Sequence, residues 1–323
     1  MLRAMDSAVA GLRAHQNKMD VVGHNIANVN TFGFKAQTYS FMDAMYQTST
    51  ASTGHSSTGA GGVNAAQYGY GTLMGSIGMD MSASTPSYTG GFNATIDGQG
   101  FFITRSTHGT QAPDTFKEGA FDYTRVGQFR IDSAGYVTDA NGNYVYGFQY
   151  NTADSIKSGD DTGIDMNTLV ALRAPQQGAN KANSFTPAVQ DDLATSAAQL
   201  QSVQIDKNGL ITATVNVMDG NNEVAQTIYL GKVAIATFQN PEGLSKVGNN
   251  YYNATDKDNT GLASATPPGG AVSALMPGYI EASNVDLAKE FAEMITTHRG
   301  FQANSKMITV SDEMLSDLVA MKR

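Results

Sequence analysis

The sequence predicts an α+β fold, mainly β. Terminal N- and C-helices pair in a coiled-coil-like domain, and the middle of the chain forms an outer β-rich domain with a small insertion. The first observation behind this is a seven-residue apolar repeat at each end of the chain. The second is a middle full of alternating strand patterns that stop at turn residues such as Asn141-Gly142. The third is composition: 34 glycines and only 15% charged residues in 323 suit strands and turns better than a helical enzyme. A chain of this length can build two domains, or three, around a proper hydrophobic core. The reading places a helical domain at 1–30 and 284–323, a connector at 31–70, a β-rich domain at 71–149 and 201–283, and the small insertion at 150–200.

Met1, Met5, Ala8, Leu12, His15, Met19, Val22 and Ile26 are spaced by four and three, with Leu2 and Val9 widening the stripe. Gly11 and Gly23 each weaken an isolated helix by about 1 kcal/mol, so this helix needs a partner. Asn28 and Asn30 can end it through side-chain bonds to the backbone, and Gly33 permits a turn. Beyond it, Tyr39, Phe41, Met42, Met45 and Tyr46 can anchor a short apolar contact, and Gln47–Gly62 reads as a flexible connector of Ser, Thr, Gly and Ala.

From Tyr70 the signal turns to strands. Asp97-Gly98-Gln99-Gly100 feeds the apolar run Phe101–Thr104; a third glycine and a following helix, which a dinucleotide loop requires, are both missing. The frame Ile-Asp-x-x-Gly-x-(Val/Ile)-Thr occurs at Ile131–Thr138 and again at Ile205–Thr212, one turn used twice, with Gly135 and Gly209 expected at positive φ. Between them lies a loop-like insertion with one apolar cluster, Met166, Leu169, Val170 and Leu172. Val215–Phe238 reads as strand, a turn at Asp219-Gly220, and two strands around Gly231. Asp256-x-Asp258 resembles half a calcium loop, but Pro267 stands where a bidentate Glu is needed, so a solvated loop is expected.

From Leu287 the steps of four and three run without a slip through Phe291, Met294, His298, Phe301, Ser305, Ile308, Asp312, Leu315 and Val319. They predict one helix roughly 55 Å long with a seam for a partner. Gly300 is its one strong helix-weakening residue, and Ser283 or Asn284 is the expected cap. The polar entries His298, Ser305 and Asp312 suit a packed layer of many copies better than a plain two-helix core. Heterologous contacts that do not close build helical polymers, and such ends are expected to order on assembly.

The net charge of −9 argues against a nucleic-acid partner. Residues 1–35 carry +2 and residues 278–323 carry −2, so the ends are nearly neutral and opposite in sign and can pair with each other or with neighbouring copies. The absence of cysteine removes disulfides and thiolate chemistry. The histidines His15, His24, His55, His108 and His298 include no pair at metal-ligand spacing on one helix face. No catalytic, metal or cofactor site is expected. No run is long and apolar enough to insert in a membrane, and the N-terminus lacks a leader's apolar core, so if the protein leaves the cell it is expected to use a route that cleaves no leader.

Asn25-Ile26-Ala27-Asn28-Val29-Asn30-Thr31-Phe32-Gly33-Phe34-Lys35, following an amphipathic helix, resembles the N-terminal motif of the flagellar rod and hook protein family. Gly278–Leu287 resembles that family's G-x-x-E-x-S-N-V-D stretch, continuing through Arg299–Asn304 and Asp312–Leu315. The motif residues are Asn25, Asn28, Gly33, Phe34, Ser283, Asn284, Val285 and Arg299. The apolar stripes supply the expected assembly interface: Met1, Met5, Leu12, Met19, Val22, Ile26, Leu287, Phe291, Met294, Phe301, Ile308, Leu315 and Val319. SNVDLAKEFAEMI and RGFQANSK look like hook versions, and the chain exceeds the usual rod size. The resemblance therefore implies a structural, non-enzymatic, extracellular subunit of the flagellar hook. It would polymerise with itself into a flexible tube that transmits torque from rod to filament in cell motility. It further implies contacts with rod, hook cap and hook–filament junction proteins and export through the flagellar type III secretion apparatus. A distal rod subunit, a secreted adhesive protein with paired terminal helices, and a wall hydrolase are the competing readings. Hook proteins often carry a whole second outer domain where this chain has only its small insertion.

Overall fold

The computed structural model describes residues 2–54, 61–113, 116–178, 182–187, 198–219, 222–255, 258–270 and 272–321. Three α-helices occur among the described residues: α1 (Leu2–Ala27), α2 (Ala153–Ser158) and α3 (Leu287–Met321). The chain forms two compact units. One comprises Met1–Val29, Ala36–Asp80 and Val285–Arg323; the other comprises Asn30–Lys35 and Met81–Asn284.

The first unit is a helical hairpin with a β-ribbon. α1 packs along α3 and against strands β1 (Gln37–Asp43) and β4 (Thr72–Met79). β1 pairs antiparallel with β4, and β2 (Tyr46–Thr50) pairs with β3 (Ala66–Gly69). Within the expected connector 31–70, strands occupy Gln37–Asp43, Tyr46–Thr50 and Ala66–Gly69, and only the first four residues of the flexible stretch Gln47–Gly62 belong to one of them. The Thr, Tyr and Gln of these strands are compatible with extended backbone, and the pairing needs no apolar face because every residue of β2 and β3 is exposed. Residues 55–60, part of that expected connector and including His55, lie outside the described residues. Asp286 caps α3, its Oδ1 accepting from the Ala288 and Lys289 amides at 2.9 and 3.3 Å. The cap thus falls on the residue immediately before the helix, two or three places beyond the expected Ser283 or Asn284.

The second unit is built on an antiparallel sheet of 14 strands among the described residues. Its longest path runs Leu200–Ile205, Leu210–Asp219, Asn222–Val233, Tyr144–Gln149, Phe101–Arg105, Asp122–Thr124, Tyr251–Asn253, Ser245–Gly248. Phe101, Phe102, Ile103, Tyr123, Val145, Tyr146, Val215, Leu230 and Ile235 are buried in its core. The repeated turn is the same structure twice: Gly135 N–H donates to Asp132 O and Gly209 N–H to Asp206 O, each at 2.9 Å. Gly135 and Gly209 sit at φ of 82° and 74°, the left-handed conformation expected of them. Leu169, Val170 and Leu172 of the insertion are buried, because Leu169–Ala171 joins the main sheet beside Tyr144–Gln149, whereas Met166 is exposed. Gly220 of the expected turn and Asp256 of the half calcium loop lie outside the described residues. Asp258 accepts from Thr260 N–H at 3.2 Å and pairs with Lys117 at 3.6 Å.

Candidate assembly site

On α1 the buried residues are Ala8, Gly11, Ala14, Val21, Val22 and Asn25; on α3 they are Glu290, Thr297 and Ser311, seven residues or multiples of seven apart. The antiparallel register pairs Asn25 with Glu290, His15 with Gly300 and Gly11 with Asn304. A Cβ on Gly11 would stand 2.7 Å from Asn304 Nδ2, and one on Gly300 would stand 2.6 Å from His15 Cε1. These two glycines let the helices approach closely at the cost of helix propensity.

On α1 the seam shares Ala8, His15 and Val22 with the apolar stripe and departs from it by one residue at the other positions. Where the stripe has Leu12, Met19 and Ile26, the contact centres on Gly11, Lys18 and Asn25, leaving the three apolar residues half-buried. Where it has Phe291, His298, Ser305 and Asp312, α3 turns in Glu290, Thr297, Asn304 and Ser311 instead. Met5, Met294, Phe301, Ile308 and Leu315 flank the seam half-buried, and Val22 is buried. Leu287, Phe291 and Val319 are exposed at 40%, 49% and 67%, in company with Ile295, Met307, Val310, Met314, Leu318 and Met321. Met1 lies outside the described residues.

Asn25 is the polar pin of this unit. Its carboxamide donates to Gln37 O at 2.8 Å, accepts from Gln37 N–H at 2.9 Å and donates to Glu290 Oε1 at 3.1 Å. Glu290 Oε2 is buried without a partner. Burial, reinforced by the charge of Glu293, raises the Glu290 pKa against the hydrogen bond from Asn25. His15 is pushed down by burial and by Lys18, and its ring meets Phe41 edge-on at 5.3 Å. Lys18 pairs with Glu293 at 3.1 Å. Arg299 and His298 are exposed, and Asn28 donates to His24 O at 2.9 Å.

Val285 is half-buried in the first unit, and in the second unit the motif residues Gly33, Phe34, Ser283 and Asn284 lie about a buried charge cluster. Lys35 Nζ meets Glu281 Oε1 at 2.8 Å, and Arg125 Nε meets Oε2 at 2.8 Å, with all three side chains at most 3% exposed. Arg125 also donates to Gly100 O at 2.6 Å and Gly98 O at 2.8 Å, and Lys35 donates to Ser82 O at 2.6 Å. Burial opposes the Glu281 charge, but Arg125 and then Lys35 outweigh it and hold the carboxyl below its usual range. Gly33, at φ 67°, donates its N–H to Glu281 O at 2.8 Å, and a Cβ there would meet Val126 Cγ2 at 2.8 Å. Ser283 O accepts from the Ser84 hydroxyl at 2.8 Å, and Asn284 N–H reaches Phe34 O at 3.4 Å. Lys246 lies over the Phe34 ring at 4.5 Å and donates to Lys35 O at 2.9 Å; burial lowers its pKa to about 8. Lys35, Arg125 and Glu281 were not among the site residues expected from sequence. The available signal was Arg125 in the alternating run Tyr123–Phe129, on the inward face with Tyr123, where a charge requires a buried counter-charge.

No group of three His, Asp or Glu able to hold a metal occurs among the described residues, and no described helix is long and apolar enough to cross a membrane. The family model described as "Flagella basal body rod protein" matches residues 5–35, and the one described as "Flagellar basal body rod FlgEFG protein C-terminal" matches residues 276–321. The flagellar basal-body rod protein FlgG of Bacillus subtilis is 34% identical over the whole of both chains. FlgG of Caulobacter vibrioides is 28% identical over 97% of each. The flagellar hook protein FlgE of Borreliella burgdorferi is 28% identical over the whole of both chains, in an alignment stretched to 462 positions.

Proposed function

Because the chain belongs to the flagellar rod and hook axial protein family, whose members are structural and not enzymatic, we propose that it is a rod subunit of the basal body, polymerising through the outer faces of α1 and α3. The observation that carries polymerisation is the partly offset seam. The hairpin joins through its small and polar residues and leaves Leu287, Phe291 and Ile295 exposed, and a soluble monomer rarely keeps such a row open. Neighbouring copies in heterologous contact would cover it and extend a helical tube. The subunit would work outside the cytoplasmic membrane, exported through the flagellar channel and abutting other axial proteins.

Rod is favoured over hook by length. Alignment to the Bacillus subtilis FlgG needs 326 positions, nearly this chain's own 323, whereas alignments to two hook proteins need 462 and 485. The extra positions of the hook relatives have no counterpart in this chain, whose insertion is small. The hook reading rests on the motif likeness of its C-terminal helix and on a chain length beyond the usual rod size, and the full-length match to a rod protein of nearly equal length weighs against the second ground. Electron microscopy of cells lacking the protein separates them: loss of rod and hook together supports the rod subunit, whereas rods without hooks would overturn it in favour of the hook. Polymerisation itself is tested by Phe291→Asp and Ile295→Asp, which should abolish assembly of the full chain while the β-unit's thermal transition stays in place. Assembly of these variants at the wild-type concentration would mean that the row does not drive polymerisation.

A further inference from the structure

Asn30 and Phe32, in the stretch that follows α1, are both exposed, Phe32 at 38%. They line a pocket of about 340 Å³ within the β-unit, at the lower end of the size range of ligand sites. Its far wall is the hairpin turn Asn249-Asn250 between Ser245–Gly248 and Tyr251–Asn253. Both residues hold positive φ, 50° and 63°, as a two-residue turn of this hand requires and as Asn tolerates. Gln128 completes the lining beside Thr124 and Val126.

The chemistry of the lining is narrow. Among its residues there is no Lys, Arg or His, which removes phosphates and acidic peptides. Its one acid, Asp139, is fully engaged: Oδ1 accepts the amides of Asn141 and Asn143, each at 2.9 Å, and Oδ2 accepts the Tyr251 hydroxyl. That hydroxyl in turn accepts from Asn141 Nδ2 at 2.9 Å, so neither group is left to attract a cation. The carboxamides of Asn30, Gln128 and Asn249 remain, each offering two donors and an acceptor, around the open ring of Phe32. Uncharged forks that both donate and accept match vicinal hydroxyls or acetamido groups, and an exposed phenyl face matches the C–H face of a pyranose ring.

We propose that this pocket binds a neutral glycan. The test uses the full chain with chitotriose and maltotriose as probes, followed by calorimetry and saturation-transfer NMR at about 10 mM, where a Kd of ~1 mM still gives near-saturation. Binding of either saccharide, weakened at least about tenfold by Phe32→Ala and by Gln128→Ala in variants with unchanged circular dichroism, is the expected result. Stronger binding of chitotriose would assign the carboxamides to acetamido groups. Absence of binding to both saccharides, or equal binding by wild type and variants, overturns the proposal. So does a result in which the variants only impair assembly of the chain, which would make the pocket a contact between copies. The outcome is independent of whether the subunit belongs to rod or hook.

Discussion

Replacing Glu281 by Gln keeps the shape of the side chain and removes the one negative charge between Lys35 and Arg125. Both cations are at most 2% exposed, so water cannot take over from the lost carboxylate. Carbonyls of Ser82, Gly98 and Gly100 would still accept their hydrogen bonds, but two positive charges would face each other across a neutral amide. Breaking a buried ion pair by removing one partner costs about 3–5 kcal/mol. For a unit of roughly 200 residues, each kcal/mol corresponds to about 2–4 °C, so a fall of roughly 6–20 °C is expected. Near-UV circular dichroism can follow it, since 14 tyrosines and no tryptophan make a clean tyrosine signal. The pH dependence is a second readout. A carboxyl held below its unfolded value of 4.5 contributes stability in full above that value and loses it as pH falls through its folded pKa. The Glu281→Gln variant should lack that part of the acid-side loss. A destabilisation below about 1 kcal/mol, the scale of an exposed ion pair, would refute the argument, because it would mean that solvent reaches the cluster.

Asn25→Ala removes three hydrogen bonds and leaves the Gln37 amide without its acceptor, at a cost of about 2–4 kcal/mol to the helical unit. Hydrogen exchange should rise at the C-terminal end of α1, in β1 and in the first turns of α3, while the β-unit's melting is unchanged; unchanged exchange would count against the pin. Above pH 10 the β-unit should lose stability, because burial holds the Tyr123, Tyr251 and Tyr252 phenols above their ordinary 10 and the unfolded chain ionises first. Lys246 acts in the opposite sense: between about 8 and 10.5 the unfolded chain binds the extra proton, so stability should rise with pH in wild type relative to Lys246→Met. Urea midpoints at pH 7, 8.5, 10 and 11 would check both; no fall between pH 10 and 11 would sink the first, and an identical pH profile for Lys246→Met the second.

Both helices and the doubled turn were legible because periodicity and positive-φ glycine are local properties. The contact between α1 and α3 coincides with the stripe at Ala8, His15 and Val22 and departs from it by one residue elsewhere, for a physical reason. An apolar repeat marks the face that avoids water, and a single sequence does not say which partner covers it. Close pairing of α1 with α3 selects small and polar neighbours such as Gly11, Asn304 and Thr297, so hydrophobicity pointed past the contact to the next residue round. The charge cluster was illegible for a different reason: Lys35 and Glu281 stand 246 residues apart, and only the folded sheet brings Arg125 between them. The ribbon at 37–79 was hidden because its pairing rests on backbone hydrogen bonds, which composition does not report.

Magnitude then bears on what covers the outer face of α3. Nine large apolar residues of α3 stand exposed among the described residues, from Leu287 to Met321. Full burial of such a side chain contributes about 1.5–3 kcal/mol, and those at 40–60% exposure have about half of that still to gain, so together they offer on the order of 10 kcal/mol. Association costs about 4–15 kcal/mol in lost rigid-body freedom alone. A partner touching one or two turns therefore gains too little, and only contact along most of the helix exceeds the cost. Several neighbours sharing the length of α3 fit this arithmetic better than a single short docking site. Truncating α3 after Ser311 removes Met314, Leu318, Val319 and Met321 and should raise the critical concentration for assembly steeply, while Asn25, His15 and Gly11 keep their partners. Assembly at an unchanged concentration would mean that the outer row is not what drives polymerisation.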